Sequence, residues 1–131
     1  MEDLAAYFKN IRGRGVLATA DADGVPNAAV YATPHAMEDG QVAFIMPHRK
    51  THANLEKNPK AAYLFMEEGS GYQGRRLYLT MTGEEKNTGL LLSIRRHASD
   101  PEKMSTDPRF LVFFTVDAVL PLVGPGEEEE S

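Results

Sequence analysis

Arg49, Lys50 and Thr51 put two cations and a hydroxyl side by side where an apolar run gives way to a helix-compatible one. The run before them, Val42-Ala43-Phe44-Ile45-Met46, is bounded by Gly40 and Pro47, the pattern of a buried strand that stops abruptly. The run after them, Thr51 to Lys57, suits a helix that must stop at Asn58, because the residue ahead of Pro59 is pushed out of the helical region. A helix start offers N–H groups without intrahelical partners and a partial positive charge. With Arg49, Lys50 and the Thr51 hydroxyl beside it, such a junction can cradle a phosphate. Solvated loop charges are the plain alternative, since short basic junctions are common.

Other constellations carry less. His48 and His52 stand four apart, a spacing that metal-binding pairs use. Pro47 is expected to leave His48 ahead of the helix, and no third ligand is evident nearby, so no metal is expected. His35 and His97 read as a turn residue and a helix-end residue, and Glu84-Glu85 as solvated charges beside a turn. Gly69, Gly71 and Gly74 have dinucleotide-binding spacing, but a strand-like run follows them where a helix is required. There is no P-loop and no Ser–His–Asp pattern.

Composition narrows the classes. A chain of 131 residues fits one domain, with room for a real core. The absence of Cys excludes disulfides, thiolate metal sites and Cys nucleophiles. The net charge of −5 comes mostly from Glu127 to Glu130, and the remaining body is close to neutral, no match for nucleic acid. No apolar run reaches membrane-spanning length and the first residues lack a signal-peptide pattern, so a cytoplasmic location and no membrane association are expected. Residues 1–124 are expected to form the domain, and 125–131 a disordered acidic tail.

The junction needs a scaffold, and the rest of the chain reads as one. Asp3 to Arg12 carry Leu4, Ala5, Phe8 and Ile11 near helical spacing. Val16 to Ala20 reads as a strand, and Asp23-Gly24 signals a hairpin into a second strand from Pro26 to Thr33. After Glu38-Asp39-Gly40 comes the Gln41–Met46 strand, so an antiparallel meander of three strands is expected. Lys60 to Met66 makes a fourth strand, followed by a glycine-rich loop. Leu77 to Thr82 alternates cleanly and is punctuated by Gly83. A third helix is expected from Asn87 to His97. Phe110 to Val116, extended by Ala118 to Leu120, is apolar on both faces, as suits a central barrel strand or a subunit interface. The sum is a mainly β fold, a six-stranded antiparallel split β-barrel of Greek-key type with about three short helices, since closure removes exposed edges.

These residues carry a resemblance. From Gly15 to about Gly83 the chain is similar to the FMN-binding split β-barrel superfamily, the pyridoxamine 5′-phosphate oxidase-like proteins, in particular its small single-domain members. The most specific part is Arg49-Lys50-Thr51-x-Ala53-Asn54 followed by Asn58-Pro59-Lys60 and another strand. The resemblance implies FMN as cofactor, with the phosphate on Arg49, Lys50 and Thr51. It implies that Ala29, Val30 and Tyr31 lie against the flavin ring, together with Ile45, Met46 and Pro47. It implies a polar contact from Arg76 or Tyr78, and a homodimer with flavin sites at the interface, for which Phe110 to Val116 is a fitting buried surface.

The implied activity is that of an oxidoreductase or electron-transfer protein, with a small-molecule donor or acceptor, NAD(P)H among them, over the exposed ring. Tyr31, Tyr72 and Arg76 are candidates for that side. Ala28, Ala29 and Ala32 would give the ring a smooth strand face. Beyond Val123 there is only the acidic tail, a poor partner for a phosphorylated substrate, so pyridoxal phosphate synthesis is not expected. A non-catalytic module holding haem, a deazaflavin or stored flavin is the alternative, as is a cofactor-free dimer serving protein contact.

Overall fold

The computed structural model describes residues 3–69, 71–86 and 109–125. Helix α1 spans Leu4–Asn10, and its first turn is closed by the Asp3 carboxylate, which accepts from the Ala6 N–H at 3.2 Å. Strands β1 (Gly13–Ala20) and β2 (Pro26–Tyr31) follow as a hairpin. Asp21 holds the turn by accepting from the N–H groups of Asp23 and Val25, each at 2.9 Å, while Gly24 takes a φ of 84° that only glycine adopts at little cost. Next come β3 (His35–Ala36), β4 (Val42–Pro47), helix α2 (Lys50–Lys57), β5 (Lys60–Glu67), β6 (Gly74–Lys86) and β7 (Arg109–Pro121).

All seven strands join one antiparallel sheet in the order β2-β1-β5-β6-β7-β4-β3. The sheet curls on itself as a split barrel. Its two long strands, β6 and β7, make this possible: the first half of β6 pairs with β5, while the first half of β7 pairs with β4. Register shifts between Tyr78 and Leu79 and between Met81 and Gly83 bend the shared pair. The core inside the curl is Leu17, Phe44, Tyr63, Phe65, Leu77, Leu79 and Phe114, all buried. Phe44 meets Tyr63, Phe114 and Tyr31 edge-on, closing opposite walls upon one another.

Several expectations change here. Among the described residues there are seven strands, not six, because His35 and Ala36 bridge to Ala43 and Val42. The meander does not form. β4 pairs with β7 at the far side of the sheet, since its continuous apolar run finds two-sided burial only beside another such strand. Gly83 does not end its strand, which runs on to Lys86. Two helices are present among the described residues, and the helix expected from Asn87 to His97, like residues 126–131 of the expected tail, lies outside them. β7 is a central strand, with Val112, Phe114 and Val116 turned into the core. Leu111 and Ala43 are buried in a second cluster on its other face, with Ile45 and Phe113. Among the described residues no helix is long and apolar enough to cross a membrane.

Candidate functional site

Pro47 ends β4, and the chain turns through His48 and Arg49 into α2. Arg49 is the N-cap in extended conformation, and no side chain caps the helix start. The first N–H groups of α2 therefore keep their hydrogen-bonding capacity, with exposed Arg49 and Lys50 beside them. The opposite end obeys the expected rule: Asn58 is extended ahead of Pro59, and its N–H bonds back to the Asn54 carbonyl at 2.8 Å.

The rest of α2 is anchored to the barrel. Leu55 enters the core, and buried Asn54 donates its side-chain amide to the Thr19 hydroxyl of β1 at 3.1 Å. Thr51 is also buried, and its hydroxyl accepts from the Asn27 side chain at 3.3 Å and bonds to the Tyr31 phenol. The hydroxyl thus ties the helix start to strand β2. Burial pushes the Tyr31 phenol upward, partly offset by the Thr51 bond and the positive fields of Arg49 and Arg109.

Between β2 and the helix start lies a cleft of about 390 Å³, lined by Asn27, Ala29, Val30 and Tyr31 on one side and by Pro47, Arg49, Lys50 and Thr51 on the other. β2 is an edge strand, paired on only one side by β1. Much of its free backbone edge is therefore available to a ligand. The Tyr31 carbonyl is already engaged, accepting from the Tyr63 hydroxyl at 3.0 Å.

Of the residues singled out in the sequence, Ala29, Val30, Tyr31, Pro47, Arg49, Lys50 and Thr51 come together in this cleft. Ile45 packs in the outer cluster of β4 and β7, and the Met46 side chain is wholly buried in the core. Arg76 and Tyr78 lie on β6, separated from β2 by β1 and β5 in the sheet order, and do not line the cleft. Arg76 donates to the carbonyls of Pro121 and Gly124. Tyr72 is exposed in the loop before β6. The three alanines do not share a face: Ala29 pairs with core Leu17, while Ala28 points outward opposite Ala18.

Sequence reasoning missed Arg109 and Asn27. Arg109 opens β7 opposite Pro47, close enough for its charge to act on Tyr31. Only the long-range pairing of β4 with β7 brings it there. Asn27 could have been found from strand periodicity, which sets it on the same face as Ala29 and Tyr31. A third ligand, against expectation, does stand near His48 and His52: a carboxylate oxygen of Glu56 lies within 4.8 Å of one ring nitrogen of each.

The family model described as pyridoxamine 5′-phosphate oxidase matches residues 1–111 of the 131. The chain belongs to the pyridoxamine 5′-phosphate oxidase family. Among curated protein sequences none matches it. Solved structures share the family's fold. An FMN-binding protein from Syntrophomonas wolfei subsp. wolfei superposes with a TM-score of 0.72 at 20% identity, over 92% of this chain and 84% of that one. An F420 reductase gives 0.68 at 15% identity, over 91% and 98%. HutZ, the haem storage protein of Vibrio cholerae, gives 0.63 at 20% identity, over 92% and 93%. Ligands differ among these relatives, so the choice of ligand rests on the cleft itself.

Proposed function

We propose that this protein binds FMN in the cleft between β2 and the start of α2 and serves as an oxidoreductase or electron-transfer protein. The observation that carries the reading is the uncapped helix start with Arg49 and Lys50 set directly across from an edge strand. A phosphate dianion is matched by the helix N–H groups, by Lys50 as a point charge and by Arg49 as a fork of donors. Arg109 adds positive potential from the β7 side. The free edge of β2 offers backbone donors and acceptors to the polar rim of a heteroaromatic ring. Ala29 keeps that wall low.

When bound, a flavin supplies hydride or electron transfer, and the protein supplies position and electrostatics. This chain's part is to hold the phosphate, to present the β2 backbone and to keep Tyr31 a neutral phenol at the cleft wall.

The protein acts as a homodimer in this reading. Val30, Leu64, Met66 and Tyr78 are exposed apolar side chains, with Val30 at 80% exposure. Strand pairing aligns Val30, Val16 and Leu64 in one row and Ala28, Ala18, Ala62 and Tyr78 in the next. Such a patch marks a protein contact. A second copy seated there would bring its own Arg76 and Tyr78 towards the open side of the cleft. A small-molecule donor or acceptor, NAD(P)H among them, would then approach what the two copies leave uncovered.

The test is titration of the purified protein with FMN, riboflavin and haemin, followed by flavin fluorescence and by absorbance. The expected result is saturable FMN binding at least tenfold tighter than riboflavin, which lacks the phosphate. Equal affinity for the two flavins would remove the anion site from the reading. A Soret band with no flavin binding would replace FMN by haem, the ligand named for HutZ. NAD(P)H oxidation by the FMN-loaded protein then separates a reductase from a carrier.

A further inference from the structure

We propose that His48, His52 and Glu56 form a binding site for a divalent transition-metal ion of the zinc class, with Glu84 holding His52 in its ligating form. None of the three lines the anion cleft, and the site does not depend on flavin binding.

His52 and Glu56 stand four apart on one face of α2, and His48 comes from the turn just ahead of the helix. One ligand atom from each lies within 4.8 Å of the others. Nitrogen and carboxylate oxygen together are the donor set of zinc and its neighbours rather than of magnesium or calcium.

His52 is the fixed member. It is 1% exposed and its ring stacks on Phe110, with centroids 4.0 Å apart and planes 19° from parallel. Its Nε2 lies 2.7 Å from the Glu84 carboxylate. A carboxylate only accepts, so Nε2 carries the proton, and a neutral ring keeps its lone pair on Nδ1. That is the outer carboxylate–histidine arrangement that orients metal-bound histidines. The lone pair points at His48, whose Nδ1 is 2.6 Å away.

In the metal-free chain those two nitrogens share a hydrogen bond. An ion bonded at about 2.0 Å to each would hold them roughly 3.3 Å apart. The opening is small, and exposed His48 can make it by turning its ring, while His52 stays locked. Glu56 is exposed and free to close the third side. Arg49 follows His48 in the chain and Lys86 sits over the Phe110 ring at 5.8 Å, and the carboxylates of Glu56 and Glu84 stand against these cations. Three protein ligands on a solvent-facing rim leave a position for water or an external ligand.

Calorimetric titration of the tag-free full chain with Zn²⁺ at neutral pH tests the proposal, with Co²⁺ and its visible spectrum as the second probe. Expected are one ion per chain, a dissociation constant in the micromolar range or tighter, and a Co²⁺ spectrum of low coordination number. His48→Ala and Glu56→Gln, both at exposed positions, should each weaken Zn²⁺ binding at least tenfold while the metal-free melting temperature stays near that of the parent. Glu84→Gln should weaken it by about 10- to 100-fold without removing a ligand. No saturable binding, or variants of His48 and Glu56 that bind as the parent does, would overturn the site. Undiminished affinity in Glu84→Gln would overturn the role given to that carboxylate.

Discussion

Lys50 is the side chain whose loss the anion reading can least absorb. It sits exposed at the first position of a helix with no side-chain cap, next to N–H groups that keep their hydrogen-bonding capacity. A charge-assisted hydrogen bond is worth about 1.5–3 kcal/mol. Lys50→Ala should therefore weaken FMN binding by roughly 10- to 100-fold and leave riboflavin binding nearly unchanged, read by fluorescence titration. Four residues beyond Tyr31, burial lowers the pKa of His35. The unfolded chain holds that proton more tightly, so stability from this residue is full above about pH 6.5 and is lost as pH falls below it. Urea midpoints measured over that range should fall less steeply for His35→Gln than for the parent, well before carboxylates titrate near about pH 4.

Strand β2 shows how an element is held where a site needs it. It pairs on one side only, and its last residue is secured by the Tyr63 hydroxyl on the Tyr31 carbonyl. Gly15 permits this, because a methyl group there would run into the Tyr63 ring and hydroxyl. Gly15→Ala should displace that ring and cost about 1–3 kcal/mol by overpacking, while Tyr63→Phe, which removes only the hydroxyl, should cost about 1 kcal/mol. Urea denaturation separates the two, and an unperturbed Gly15→Ala protein would show that the ring has room to move.

The strands themselves were legible in the sequence because alternation in Leu77 to Thr82, the Asp23-Gly24 turn and the Asn58-Pro59 break are local signals. Partnership was not. Nothing local to Val42–Met46 says that it pairs with a strand some seventy residues later, and so Arg109 stayed unseen and a meander was expected. The contribution of His52 was hidden for the same reason, since its carboxylate partner Glu84 comes from β6. The two-residue strand His35–Ala36 is too short to show any period at all. The basic junction was the most readable part of the site, because a strand end, two cations and a helix start are contiguous in the chain.

At the scale of the whole molecule, the outward side of β2, β1, β5 and β6 is the surface most in need of a partner. Leu64 stands near its middle, flanked across the ladder by Val16 and Arg76. Leu64→Glu places a charge in the patch without touching the core. It should convert a homodimer to a monomer in sedimentation equilibrium, with circular dichroism unchanged. A parent protein that sediments as a monomer would dismiss the dimer and, with it, any contribution of Arg76 and Tyr78 to a neighbouring cleft.

Strand β7 is the keystone of the sheet. Until Arg109–Pro121 is available, Val42–Pro47 has only a two-residue companion, and the outer half of Gly74–Lys86 has no neighbour to bend against. A chain still emerging from the ribosome can thus assemble the β1, β2 and β5 wall early, but it cannot shut the curl until Arg109–Pro121 has been synthesised. Stalling or truncation ahead of Arg109 should leave a protease-sensitive, half-built sheet rather than a smaller working protein. Closure from such distant contacts should also make folding slow for a chain of this size.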